Sequence, residues 1–140
     1  MQTEILAPAA LLIVWSLIVL SWMAFTRMPA MAKAGINLKD RVGGRGQDLD
    51  GVIPPKVSWK AHNYTHLMEQ PTLFYACCLI LALVGYPASV LVAAWIYVGL
   101  RIVHSLWQAL VNTIPVRMTL FMASTFCLVF MAINALIAAI

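Results

Sequence analysis

The chain alternates long apolar runs with short polar breaks, and this pattern predicts helices that span a membrane. Four runs have the roughly 20 apolar residues that a bilayer span requires. The predicted helices cover about residues 5–25, 61–84, 88–111 and 116–140. The connections after the second and third helices are short, so neighbouring helices are expected to be antiparallel. The pattern therefore predicts an all-α membrane protein, with residues 1–140 forming one antiparallel four-helix bundle.

Composition supports a membrane protein and excludes an ordinary soluble domain. Of the 140 residues, 63% are hydrophobic and 10% are charged, whereas about a quarter of the residues in a typical soluble domain are charged. A secretory signal peptide is the alternative for the first run. We favour a retained helix because Glu4, not a lysine, precedes the run, and because its apolar stretch is longer than that of most signal peptides.

The polar loop predicted at residues 33–58 indicates the orientation of the bundle. The segment 26–60 contains seven of the nine basic residues, and basic loops face the cytoplasm in most membrane proteins. We expect this segment to be cytoplasmic and both termini to lie on the opposite side. The formal net charge of +4 arises in this loop, which favours contact with anionic lipids and gives no indication of nucleic-acid binding.

Two full charges, Glu69 and Arg101, lie inside the predicted spans. An unpaired charge at bilayer depth costs about 3 kcal/mol or more, so each must face protein, water or a ligand. At 1.5 Å per residue, both lie roughly 13–16 Å from the loop-side ends of their helices. The two residues are therefore expected at the same depth, where they could form an ion pair.

Further polar residues share a helix face with each of these charges. His62, His66 and Glu69 are spaced i, i+4 and i+7 along the second helix, which places them on one stripe. The third helix has a matching stripe of Arg101, His104, Gln108 and Asn112. The pattern predicts that the two stripes face each other, either around a ligand or only to hold the two helices together.

Two more residues refine this prediction. Pro71 follows Glu69 closely and removes one helical hydrogen bond, so a kink is expected beside the polar stripe. Arg117 falls in the first turn of the fourth helix, where its charge and the free N–H groups favour an anion. A membrane phosphate is the alternative partner for Arg117.

These residues resemble the motifs of the MAPEG family, the membrane-associated proteins in eicosanoid and glutathione metabolism, of the bacterial type. Glu69 and the following Pro71 and Phe74 match the family pattern on the second helix. Arg101, two residues and His104 match on the third helix, and Pro115 with Arg117 match at the start of the fourth. The matching residues are read from the sequence without a gap between residues 101 and 117.

The resemblance implies a homotrimer that binds glutathione as a co-substrate between subunits. It implies that Arg117 is catalytic, because a guanidinium favours the reactive thiolate. It implies the following glutathione-binding residues: His62, His66, Glu69, Arg101, His104 and Gln108. The implied partners are other copies of the chain, lipids and hydrophobic small molecules, with electrophiles or peroxides as acceptors.

The chain departs from the family pattern at four positions, and two other functions stay open. His62 and His66 replace an arginine and an asparagine, and Gln108 and Phe121 replace tyrosines found in several members. The first alternative is a non-catalytic binding or scaffold protein of the same family. The second is a Zn or Fe site with imidazole and carboxylate ligands, formed by His62, His66, Glu69 and His104.

Overall fold

The computed structural model describes residues 1–140, and five α-helices make up most of the chain. These are α1 (Leu6–Lys33), α2 (Pro55–Leu67), α3 (Pro71–Val84), α4 (Ala88–Leu110) and α5 (Ile114–Ala139). Short 3₁₀ turns cover Thr3–Ile5 and Gly46–Leu49, and the chain has no β-strand. Taking α2 and α3 together, four segments are long and apolar enough to cross a membrane. The prediction of an all-α, four-span protein is confirmed.

The first helix is longer than the apolar pattern predicted. It continues past Phe25 to Lys33, because polar residues do not end a helix, whereas a glycine with positive φ does. Gly35 has a φ of 72°, and its N–H and that of Ile36 bond to the last free carbonyls of α1. This pair of bonds is the Schellman arrangement that ends many helices. Arg27 therefore lies on the helix and not in the loop.

The second membrane segment is broken where the sequence predicted a kink. Pro71 has no N–H to offer the carbonyl of Leu67, so α2 ends at Leu67 and α3 begins at Pro71. The break is stabilised from outside, since Gln70 Nε2 donates to Thr125 Oγ1 (2.9 Å) and Tyr97 Oη donates to Gln70 Oε1 (3.2 Å). The predicted kink is confirmed as an interruption.

The loop between α1 and α2 has its own small core. Leu49 and Ile53 are buried against Ala30 and Met31 near the end of α1. His62 on α2 adds a polar attachment, because its Nε2 lies 3.0 Å from both carboxylate oxygens of Asp50. The loop is therefore fixed to the bundle at two places. Apart from a single 3₁₀ turn, the segment predicted as a polar loop has no regular structure before α2 begins at Pro55.

The main core lies between the helices, where small side chains permit close packing. Ala93 and Ala94 of α4 are buried there, together with Cys77 and Cys78 of α3. Phe74 stacks on Tyr97 with ring centroids 4.4 Å apart. Many large apolar residues remain exposed on the outer faces of the helices, as expected where lipid is the solvent.

Candidate functional site

A polar pocket opens at the loop end of the bundle, where α2, α4 and α5 meet. Its volume is about 170 Å³. Six residues line it: His66, His104, Gln108, Arg117, Met118 and Phe121. We call it the histidine pocket. Four of the predicted site residues are thus brought together from three helices that are distant in the sequence.

Of the two predicted polar stripes, the structure brings His66 and His104 together. The rings of His66 on α2 and His104 on α4 have centroids 4.9 Å apart. Phe121 closes the third side, with its ring 5.5 Å from His66 and 6.4 Å from His104. His104 is only 3% exposed, so its position is fixed by packing.

Arg117 enters the pocket from the first turn of α5. Its Nη1 donates a hydrogen bond to Asn112 Oδ1, and Asn112 has the positive φ (62°) that turns the chain between α4 and α5. Asparagine tolerates this conformation better than most residues. No carboxylate lines the pocket, so the charge of Arg117 is available to an anion.

Arg101 lies behind the wall of the pocket and is completely buried. Its Nη2 is 3.4 Å from the His66 carbonyl oxygen and its Nη1 is 3.5 Å from His66 Nε2. The guanidinium carbon is also 5.8 Å from the centre of the Phe121 ring. Arg101 Nε makes no hydrogen bond. The residue therefore supports His66 and Phe121 and does not itself line the pocket.

The predicted ion pair between Glu69 and Arg101 does not form. Glu69 lies in the break after α2, where it no longer continues the helical stripe, and its side chain is 64% exposed. Its carboxylate is instead 3.3 Å from His66 Nδ1. The break moved Glu69 to the rim of the pocket, and Arg101 keeps only neutral hydrogen-bond partners.

His62 is also separated from the other members of its stripe, because it faces the loop and bonds to Asp50. No group of three or more His, Cys, Asp or Glu side chains is placed to hold a metal ion. The arrangement suggested for Zn or Fe, which needed His62 beside His66 and His104, therefore has no geometric support.

Sequence reasoning missed a buried polar contact below the pocket. Asn63 on α2 is fully buried, and its Nδ2 donates to Ser105 Oγ on α4 (2.8 Å). Trp15 Nε1 on α1 donates to the same oxygen (3.0 Å), so one hydroxyl joins three helices. Asn63 and Leu67 are both buried, and their i, i+4 spacing was the signal in the sequence that Asn63 shares a buried helix face. The adjacent histidine stripe obscured it.

An apolar groove between α3 and α5 begins one helical turn beyond Phe121. It has a volume of about 520 Å³, and ten of its twelve lining residues are hydrophobic. The two polar ones, Gln70 and Thr125, bond to each other, and Thr125 also donates to the Phe121 carbonyl (2.8 Å). The polar end of the groove is thus connected to the wall of the histidine pocket.

Comparison with known proteins gives one result. No curated protein and no solved structure matches the chain. The family model described as "MAPEG family" matches residues 5–137, nearly the whole length. Together with its four membrane-spanning segments, this match means that the chain is a multi-pass integral membrane protein that belongs to the MAPEG family.

Proposed function

We propose that this protein binds glutathione at the histidine pocket and transfers it to hydrophobic electrophiles. The observation that carries the proposal is Arg117, a cation lining a pocket that has no carboxylate in its wall. A guanidinium beside the thiol favours the thiolate, which is the nucleophilic form. His66 and His104 would supply ring N–H groups or acceptors to the bound peptide.

The reaction needs no group beyond the two substrates. The glutathione thiol loses its proton to water, and the thiolate sulfur forms a bond to the electrophilic carbon. A leaving group departs with its electron pair, or, in an addition, the substrate takes up a proton. With a peroxide as acceptor, two glutathione molecules become one disulfide, and the peroxide is reduced to an alcohol and water. In either case Arg117 stabilises the sulfur anion before attack.

The size of the pocket supports a site shared between subunits. Pockets for small molecules usually measure about 300–1,000 Å³, whereas the histidine pocket of one chain measures about 170 Å³. One chain would hold the thiol and its neighbouring atoms, and a second chain would enclose the remainder. Glu69, exposed at the rim, would then contact glutathione or the neighbouring subunit. This favours the homotrimer that the family resemblance implies.

The apolar groove supports a hydrophobic acceptor. It lies between two membrane-spanning helices and leads toward Thr125, whose hydroxyl bonds to the Phe121 carbonyl. A hydrophobic compound dissolved in the bilayer could follow this groove to within one helical turn of the pocket. We also infer that the loop faces the cytoplasm, because the positive charges are concentrated there, so glutathione would enter from the cytoplasm.

Substitution of Arg117 tests the proposal. Arg117→Ala should abolish detectable glutathione conjugation to a hydrophobic electrophile such as 1-chloro-2,4-dinitrobenzene, because the thiolate loses its counter-charge. The measurement is turnover by detergent-solubilised protein, with glutathione binding followed by thermal stabilisation. Arg41→Ala, in the loop outside the histidine pocket, is the matched control and should retain activity.

A non-catalytic binding protein of the family is the competing function. Phe121, which brings no hydroxyl into the pocket, is the observation that favours it. Glutathione-dependent stabilisation without turnover over a broad panel of electrophiles and peroxides would support this function. Absence of both stabilisation and turnover in the wild-type protein would contradict glutathione binding altogether.

A further inference from the structure

A second pocket lies between the end of α1 and the loop, and three arginines line it. It has a volume of about 290 Å³ and includes Arg27, Arg41 and Arg45 together with loop glycines. We call it the loop pocket. It shares no lining residue with the histidine pocket, and nothing in the proposed glutathione chemistry uses it.

None of the three arginines of the loop pocket forms an ion pair, and with Asp48 as the one carboxylate in its lining the pocket keeps a net positive charge. The ion pairs of the chain join Asp50 to His62 and Glu69 to His66, and neither involves an arginine. Arg27 Nη2 donates to the neutral carbonyl of Gly46, and Arg27 Nε is buried without a partner. Three like charges around one cavity repel one another, and a bound anion would relieve this repulsion.

One carboxylate also lines the loop pocket, but it is already committed to the backbone. Asp48 Oδ2 accepts a hydrogen bond from the Arg45 N–H (2.7 Å) and so fixes the 3₁₀ turn that follows. By contrast, the N–H groups of Gly43 and Gly44 bond to nothing else in the chain. Both glycines line the loop pocket and have positive φ (73° and 102°).

The loop pocket is held in shape, which distinguishes it from a diffuse basic surface. The Arg27 guanidinium packs directly on Gly46, where an added Cβ would lie 3.0 Å from Nη1. Leu49, one turn further, is buried against Met31 of α1. The position of Arg27 relative to the loop is therefore set by contacts that a larger residue at position 46 would disturb.

The surroundings of the loop pocket match a lipid better than a free ion. Met31, Ile36 and Leu38 provide apolar wall beside the arginines. Leu38 of this wall is 50% exposed, so apolar surface lies next to the charges. A phosphate in the pocket could thus be joined to acyl chains lying along α1.

We propose that the loop pocket binds the phosphate group of an anionic membrane lipid. Arginine binds phosphate through paired N–H donors, a contact that a basic residue merely near the membrane surface does not make. A site built from three arginines should therefore distinguish an anionic headgroup from a zwitterionic one. This proposal does not depend on glutathione binding, because the two pockets are separate.

The test compares two double variants that lose the same charge. Arg41→Gln/Arg45→Gln removes two exposed pocket arginines, and Lys33→Gln/Lys39→Gln removes two exposed lysines outside the pocket. Full-length protein in phosphatidylcholine nanodiscs is titrated with phosphatidylglycerol, and bound lipid is counted by native mass spectrometry. We expect the arginine variant to lose at least about tenfold more affinity than the lysine variant, because it loses direct arginine–phosphate hydrogen bonds in addition to the charge that both variants lose.

Three results would overturn the proposal. Equal losses of lipid affinity in the two variants would mean diffuse electrostatic attraction. Equal retention of phosphatidylcholine and phosphatidylglycerol would mean that the pocket does not distinguish headgroup charge. Stabilisation of the detergent-solubilised protein by inorganic phosphate as strong as that by phosphatidylglycerol would assign the pocket to a free anion. Circular dichroism checks that both variants fold, and glutathione binding by each variant reports the other pocket separately.

Discussion

At the scale of single residues, the histidine pocket depends on side chains that carry charge without carboxylate partners. Arg117 lines the pocket, and Arg101 lies behind it, with His66 as its hydrogen-bond partner and the Phe121 ring beside its guanidinium. Removing the partner of a buried charge is strongly destabilising, so His66 and Phe121 are coupled to Arg101. In the proposed reaction Arg117 would carry the chemistry, whereas Arg101 supports the wall of the pocket.

Phe121 gives a residue-scale prediction. Phe121→Tyr would place a hydroxyl donor in the pocket that could bond to the glutathione thiolate. We expect kcat/KM for conjugation to rise about tenfold to a hundredfold, because a hydrogen bond to a charged group contributes about 1.5–3 kcal/mol. Steady-state kinetics with a hydrophobic electrophile measures this. Phe126→Tyr, on an exposed part of α5, is the control and should leave the rate unchanged.

Failure of Phe121→Tyr has a clear meaning. An unchanged rate with unchanged glutathione affinity would show that the thiolate does not approach residue 121. A position of the sulfur within reach of residue 121 would then be excluded, although the role of Arg117 is tested independently.

At the scale of elements, the break between α2 and α3 and the attachment of the loop decide which residues reach the pocket. The break places Glu69 at the rim of the histidine pocket. The hydrogen bond between Gln70 and Thr125 holds the break against α5. The Asp50–His62 contact takes His62 out of the stripe and uses it to hold the loop on α2. Glu69 and His62, which belong to the same predicted stripe, therefore acquire different roles.

The loop attachment predicts a pH dependence. The hydrogen bond from His62 lowers the pKa of the Asp50 carboxyl below its ordinary value of 3.8. Because the pKa of Asp50 is lower in the folded state, the ionised carboxylate stabilises the attachment at pH values above 3.8. This stabilisation is lost as the pH falls through the lowered pKa. At pH 6, Asp50→Asn should speed backbone hydrogen exchange at Val52 and Ile53 roughly twofold to fivefold relative to wild type.

The difference between Asp50→Asn and wild type should shrink as pH falls below 3.8 and disappear once pH has passed the lowered pKa of wild-type Asp50. Hydrogen–deuterium exchange read by mass spectrometry at each pH provides the measurement, because the intrinsic rate cancels in the ratio. Asp40→Asn removes a loop carboxylate that bonds only to Asn37 and should exchange like wild type. A ratio that stays constant down to the most acidic pH at which the protein remains folded would exclude Asp50 as the titrating group.

At the scale of the whole molecule, one chain encloses too little space for glutathione. The histidine pocket of about 170 Å³ opens outward, and the adjacent groove is also open on one side. Apolar faces of the helices are exposed along the whole bundle. In a membrane they can contact lipid or another copy of the chain, and only the second contact would complete the pocket.

We therefore expect the purified protein to be a homotrimer whose assembly is required for glutathione binding. Native mass spectrometry from mild detergent should show three copies of the 15.4-kDa chain. Glutathione affinity should fall at least about tenfold when harsher detergent separates the subunits, since much of the ligand would lose its contacts. A folded monomer that binds glutathione as tightly as the assembly would refute a shared site.

The sequence by itself determined the four membrane spans, the kink at Pro71, and the meeting of His66 with His104. The spans and the kink follow from rules that act within one segment, namely hydrophobic length and the missing proline N–H, and the meeting of the histidines follows from matched spacing and depth on two helices. Tertiary structure decided the rest. It buried Arg101 without a carboxylate partner, moved Glu69 to the rim of the histidine pocket and bonded His62 to Asp50 of the loop. Those outcomes depend on where a break redirects the chain and on which distant residue competes for a partner, and neither can be read from the spacing of one helix.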